Sequence, residues 1–128
     1  MQLTNLFALA SLAAGALSLG INCRGNSNCG GTLCKLTDIL SQVRNLPQGN
    51  LYNPGDHIAC CGDKAVASGL CAFVQGNFNG QMSASRAGDL LQQLVNHGCG
   101  KCGSVPVNFP GSNDPGNGIL TVNWVSQR

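Results

Sequence analysis

The sequence predicts an α+β fold: a two-layer α/β sandwich, a mostly antiparallel sheet with two helices on one face, stapled by disulfides. Three observations predict it. Two segments repeat apolar residues at helical spacing, and several short β-patterned runs lie between Gly-, Asn- and Pro-rich turns. Eight cysteines, an even number, all follow an uncharged apolar leader.

The leader is residues 1–18, MQLTNLFALASLAAGALS. It is shorter than the roughly 20 apolar residues of a bilayer span. It matches the apolar stretch of an export signal, with small residues placed for cleavage after Ala16 or Ser18. The mature domain is therefore expected to span 19–128, secreted and extracellular. Residues 19–23 are a first strand candidate. The first helix follows: Leu33, Leu36, Leu40 and Val43 form an apolar stripe with Ile39 and Leu46 beside it, Thr32 as cap and Pro47 as stop. After a loop through Gly55 come strand candidates at 57–61 and 70–75. The second helix is expected from Ser83 to His97, with Ala87, Leu90, Leu91, Leu94 and Val95 on one face. Ser83 is its N-cap and Gly98 suits the left-handed position beyond its end. Residues 119–125, ILTVNWV, alternate cleanly, with Leu120, Val122 and Trp124 on one side and Thr121 and Asn123 on the other. The order β-α-β-β-α-β places both helices against one sheet face.

Composition narrows the function classes. Charged residues make up 9% of the chain, against about 25% in an ordinary soluble domain. Net charge is +2 with no Lys/Arg cluster, which argues against a nucleic-acid partner and a polybasic membrane anchor. Hydrophobic content of 43% is the opposite of a disordered composition. After the leader no run is long enough for membrane insertion. One monomeric domain is expected.

Cysteines 23, 29, 34, 60, 61, 71, 99 and 102 follow the pattern C-x5-C-x4-C-x25-CC-x9-C-x27-C-x2-C. Fungal hydrophobins carry two CC doublets and plant lipid-transfer proteins follow one CC with CxC, so neither pattern fits. Cys99-Gly-Lys-Cys102 follows a helix end, whereas a redox CxxC opens one, and only His97 is near enough to complete a zinc site. Structural disulfides are the expectation, with no metal and no cofactor. Among acid–base candidates, His97 reads as a helix-end residue and His57 as a strand start. Asp56, Asp63 and Asp89 are the candidates for a glycosidase pair, but there is no glutamate and two of these lie in turn-like sequence. No G-x-S-x-G elbow is present. Trp124 reads as core-facing rather than as a sugar platform. The chain is not expected to be an enzyme.

Three segments together carry a resemblance: LGINCRGNSNCGG (19–31), LLQQLVNHGCGKCGSVPV (90–107) and GILTVNWV (118–125). In this order they resemble the fungal killer toxins related to the smut-fungus killer protein 4. The resemblance implies a secreted, disulfide-bonded α/β sandwich that inhibits the growth of susceptible fungi. The partner it implies is a membrane protein of the target cell, a calcium channel in the founding toxin. A secreted effector using the same scaffold against a plant host or another partner is the alternative. It also implies the bridges Cys23–Cys99 and Cys29–Cys102. Two departures stand out. The founding toxin has ten cysteines, one just after the last strand, where this chain reads Val125-Ser126-Gln127-Arg128. A functional lysine two residues before a strand cysteine becomes Ile58 or Ala59, depending on whether Cys60 or Cys61 is the match. Lys64 and Lys101 are the surface cations singled out for target binding. With the two long bridges fixed, Cys34, Cys60, Cys61 and Cys71 remain. Neighbours in a strand point to opposite faces, so one of Cys60 and Cys61 reaches the first helix and the other joins Cys71. The expected pairing is Cys34–Cys60 with Cys61–Cys71, over the swapped arrangement.

Overall fold

A computed structural model describes residues 19–62 and 66–128. The leader 1–18 and Asp63, Lys64 and Ala65 lie outside the described residues. Helix α1 (Leu36–Asn45) and strands β1 (Leu51–Tyr52), β2 (Ala59–Cys61), β3 (Gly69–Gln75) and β4 (Met82–Ser83) precede helix α2 (Ala84–Asn96). Strands β5 (Gly103–Pro106) and β6 (Ile119–Val125) complete the chain, with 3-10 turns at Ser27–Gly31 and Pro115–Asn117. The main sheet has the order β2-β3-β6-β5, antiparallel at every pairing, and β1 and β4 form a separate two-residue ribbon. The α+β sandwich is as expected.

Register assigns the faces. Leu70 pairs with Trp124, Ala72 with Val122 and Val74 with Leu120, and Val105 sits opposite Leu120 from the other side. These residues share one pleat face, and all except Trp124 are fully or almost fully buried. Helix α1 packs on β2 and β3, α2 packs on β5 and β6, and the helices pack on each other. Leu36, Ile39 and Val43 of α1 and Ala87, Leu90, Leu91 and Leu94 of α2 fill the space between. On the opposite face the buried Thr121 hydroxyl donates to Gln75 Oε1 (3.1 Å) and pairs with Ser104 Oγ (2.9 Å). That hydroxyl is therefore satisfied, as a buried polar group must be.

The second helix forms as read. Ser83 Oγ accepts from the Arg86 amide (3.1 Å). At the far end Gly98 takes φ +97°, a conformation that costs glycine nothing. The Gly98 amide donates to Val95 and the Cys99 amide to Leu94, which is the Schellman arrangement. Helix α1 starts later than expected. Thr32 Oγ1 accepts from the Cys34 amide and caps a turn. The helix N-cap is Lys35, whose amide donates to the Asp38 carboxylate (2.9 Å). Leu33 is 86% exposed, so the buried stripe is Leu36, Ile39 and Val43. Leu46 turns extended, as the residue before Pro47 must, and Gln48 Nε2 donates to the Leu46 and Val43 carbonyls.

Three strand expectations change. Residues 19–23 form only an isolated bridge, Asn22 to Ser104. Their partner β5 was not anticipated, because its GSVP sequence contains the two residues least typical of strands. It is tolerated at the sheet edge, where one side needs no ladder. The ribbon of β1 and β4 falls inside sequence read as loop and helix cap.

The central bridges also differ from expectation: they are Cys34–Cys61 and Cys60–Cys71. Register gives the reason. Cys61 pairs with Leu70, so it lies on the helix-covered face, where Cys34 approaches. Cys60 sits directly opposite Cys71 on the other face, with Cα atoms 4.1 Å apart. The long bridges Cys23–Cys99 and Cys29–Cys102 form as the resemblance implied.

Partial reduction followed by fragmentation sequencing is expected to place Cys60 with Cys71 and Cys61 with Cys34; the reverse assignment would mean that β2 is shifted by one residue. Leu91→Ala, at a fully buried site between the layers, is expected to cost about 2–5 kcal/mol in chemical denaturation.

Candidate functional site

The candidate site is the end of the molecule where the N-terminal arm meets the exit of α2. The left-handed turn at Gly98 directs Cys99 out of the helix towards Cys23, with Cα atoms 5.0 Å apart. Three residues on, Cys102 reaches Cys29 (6.1 Å). Gly103 must follow without a side chain, because a Cβ there would lie 2.7 Å from the Asn22 carbonyl. The arm is then pinned along β6. The Asn26 amide donates to Asn123 Oδ1 (3.0 Å), and Asn26 Nδ2 donates to the Trp124 carbonyl (2.7 Å).

Between arm and α2 exit runs an open groove of about 420 Å³. Arg24 and Lys101 line it with Gly25, Asn26, Gly30 and Gly100, beside the two cystines. No carboxylate lines it. The Lys101 ammonium donates to the Thr32 carbonyl (2.6 Å) and the Gly30 carbonyl (3.3 Å). It is half-buried, so it ties the exit of α2 to the end of the arm while adding positive charge to the groove. Arg24 is exposed and its guanidinium has no hydrogen-bond or ion-pair partner among the described residues. Lys35, also exposed, stands next to Leu36, whose amide donates to the Gly100 carbonyl (2.9 Å). Two cations, Arg24 and Lys101, thus line one groove although they lie far apart in sequence. Arg24 was not singled out in the sequence. Its signal was its position beside Cys23, which the bridges to Cys99 and Cys102 carry to Lys101.

The other cations are engaged. Arg44 pairs with Asp89 (3.5 Å) and Arg86 donates to Asn108 Oδ1 (3.1 Å). Arg128 donates to the Ala67 and Val66 carbonyls. Lys64 lies outside the described residues. The described carboxylates serve local structure: Asp38 caps α1, Asp56 accepts from the Asn53 amide (2.8 Å) and Asp114 from the Gly116 amide (2.9 Å). Asp56 lies in a turn and Asp89 on α2, in different parts of the fold. His97 caps the end of α2 and is exposed. His57 is exposed, its ring against Phe73 with centroids 5.7 Å apart. Trp124 is half-buried on the core-facing side of β6 and borders a second groove, of about 290 Å³, with Leu33 and Val66. No helix among the described residues is long and apolar enough to cross a membrane.

The molecule is a small α+β sandwich cross-linked by four cystines, with a cationic groove where the N-terminal arm meets the exit of α2. Comparison with known proteins is specific. The model of the Kp4 family matches residues 6–126. The KP4 killer toxin of Ustilago maydis P4 virus is 39% identical over 135 residues, covering 98% of each chain. The chain belongs to the Kp4 killer-toxin family and is a killer-toxin-like protein.

Lys101→Ala is expected to lower stability by about 0.5–1.5 kcal/mol, since two carbonyls lose an ammonium donor. Arg24→Ala is expected to stay within about 0.5 kcal/mol. Urea unfolding of both variants tests the contrast; equal losses would show that Lys101 does not fasten the arm.

Proposed function

We propose that this chain is a secreted antifungal protein that stops the growth of susceptible fungi by binding a membrane protein of the target cell, with a calcium channel as the first candidate. Full-length similarity to the KP4 killer toxin of Ustilago maydis P4 virus carries this reading. The fold is consistent with work outside the cell. Four cystines persist in an oxidising compartment, and the uncharged leader supplies the export signal. The reading is one of binding rather than catalysis: the described aspartates and histidines occupy caps, turns and surface contacts rather than a common cleft. The contact surface we assign is the groove of Arg24 and Lys101, with Lys35 beside it. A cationic, carboxylate-free groove suits an acidic patch on the outer face of a channel or other membrane protein. Lys64 stays in the proposal as an additional contact.

The test is a growth assay with purified mature protein on a panel of fungi, with and without added calcium, beside a plant root assay. Growth inhibition that calcium relieves is the expected result. Inhibition unchanged at high calcium would redirect the search to another target, and activity on roots alone would favour the host-directed effector. Arg24→Ala is expected to raise the half-inhibitory concentration about three- to tenfold, the scale of one interfacial charge, with the fold intact by circular dichroism.

A further inference from the structure

One apolar patch on the surface belongs neither to the core nor to the Arg24 groove. Among the described residues three large apolar side chains are exposed: Leu33 (86%), Leu51 (57%) and Val66 (51%). Leu51 stands apart, on the ribbon of β1 and β4. Leu33 and Val66 line the same open groove of about 290 Å³, together with the half-buried Trp124. A single exposed leucine needs no explanation, but apolar side chains gathered on one patch mark an interaction surface. Cys34 turns inwards and is 6% exposed, so its neighbours Leu33 and Lys35 both face outwards. The rim is cationic. The Lys101 ammonium donates to the Thr32 carbonyl (2.6 Å), next to Leu33. The Arg128 guanidinium donates to the Val66 and Ala67 carbonyls, and its stem lies over Gly69, which also lines the groove. Lys35 is exposed two residues from Leu33. Among the described residues one carboxylate lines the groove, that of Asp38, and it accepts from the Lys35 amide at the start of α1 (2.9 Å).

We propose that this patch docks on the surface of a phospholipid bilayer bearing anionic headgroups. Leu33, Val66 and Trp124 enter the boundary between headgroups and acyl chains, while Lys35, Lys101 and Arg128 meet the negative headgroups. The docking does not depend on a channel being the target, because bare lipid is the ligand.

Size and charge select this occupant. A stable protein partner covers roughly 20–30 residues a side, whereas the apolar centre here is three side chains. The groove is also at the lower limit for a small-molecule pocket, which is about 300 Å³. A bilayer demands no matching shape. Its binding strength follows the apolar area inserted plus the attraction of cations to anionic lipid. Tryptophan is a side chain that settles at headgroup level, with its ring in the apolar layer and its N–H in the wet one. The cations are placed for the second term: Lys101 is fastened to the backbone beside Leu33 and Arg128 to the backbone of Val66 itself. Gly30 lines the Arg24 groove and Gly31 lines this one, so the two surfaces adjoin along the arm.

The experiment uses the full mature chain with its bridges intact. Trp124 is the one tryptophan of the sequence, so its emission reports on the patch directly. The protein is titrated with vesicles of phosphatidylcholine alone and with vesicles in which phosphatidylserine is about a third of the lipid. The expected result on the mixed vesicles is a blue shift of Trp124 emission, quenching by brominated acyl chains and release at high salt. Leu33→Ser is expected to weaken binding to these vesicles about tenfold, the scale of one leucine leaving an apolar layer. Lys35→Ala is expected to weaken it about fivefold, the scale of one cation at a charged bilayer surface. Leu51→Ser, which removes an exposed leucine away from the patch, is expected to bind as the unsubstituted protein does. Absence of a shift on the mixed vesicles, equal affinity for the two vesicle types, full affinity in Leu33→Ser, or an equal loss in Leu51→Ser would each overturn the proposal. A blue shift that appears without lipid as the protein is concentrated would assign the patch to a second copy of the chain and overturn it too. Failure of the growth assay leaves the vesicle result untouched, since the vesicles contain no protein.

Discussion

The register of β3 against β6 is the constraint on which the rest of the structure depends. Seven consecutive pairs, from Gly69 with Val125 to Gln75 with Ile119, fix the facing of every side chain in the middle of the sheet. A slip of β6 by one residue would turn Leu120 and Val122 away from the helices and bring Thr121 and Asn123 into the core. Burying a hydroxyl and an amide without their present partners would cost several kcal/mol. The same register reaches outwards to the cysteines. With β3 fixed, the pairing of β2 sets Cys61 over the core and Cys60 against Cys71, so the chemistry of the CC doublet is decided by strand parity.

The arm of residues 19–31 is held differently. It contributes one isolated bridge to the sheet and little apolar burial, so its position relies on two cystines and a set of polar contacts. A bridge spanning 76 residues is worth about 4–5 kcal/mol in the loop-entropy model. The second, spanning 73, constrains nearly the same loop and contributes less than it would alone. What the second bridge adds is orientation: one bond leaves the arm free to pivot, and two fix it beside α2. The cationic groove exists because of that fixation, since Arg24 reaches Lys101 only through a covalently placed arm. Fold stability and candidate recognition surface are thus joined at the same four cysteines.

Much of this was legible in the sequence because it rests on local signals. The alternation of ILTVNWV matched β6 residue for residue, and Ser83 and Gly98 marked the ends of α2 through the hydrogen-bond needs of helix termini. Signals that depend on distant partners were harder. Thr32 is a sound cap by type, but the bridge to Cys34 and the contact between Leu36 and Gly100 hold the preceding segment extended and move the helix start to Leu36. Leu33 was drawn into the apolar stripe by spacing alone, although no partner waits for it. Strand β5 was hidden because its Gly and Pro are acceptable only at an edge, and edge position is a property of the finished sheet. The CC doublet gave two answers because parity says that neighbours diverge without saying which one faces inward. The groove was half legible. Lys101 was singled out, while Arg24 became visible only when the arm was tied down.

The C-terminal end shows how the scaffold holds without a further staple. Beyond β6 the chain reads Ser126-Gln127-Arg128, with no cysteine in this stretch. The Arg128 amide and guanidinium donate to the Ala67 carbonyl, and its guanidinium donates also to Val66. Close packing supports the contact: a Cβ on Gly69 would come within 2.9 Å of the Arg128 stem and 2.3 Å of the Cys61 carbonyl. The link therefore joins the end of β6 to the loop between β2 and β3, across the same edge that the Cys34–Cys61 bridge fastens to α1. Hydrogen bonds of this kind contribute about 1 kcal/mol each in net terms, against about 2–4 kcal/mol for a typical cystine. They are exposed, and salt and water weaken them. The central ladder does not need more. Val125 already pairs with Gly69, so only the last three residues depend on Arg128. A covalent lock matters most where the sheet offers no ladder, as along the arm. It matters least where seven paired residues already hold the strand, and there a guanidinium is sufficient.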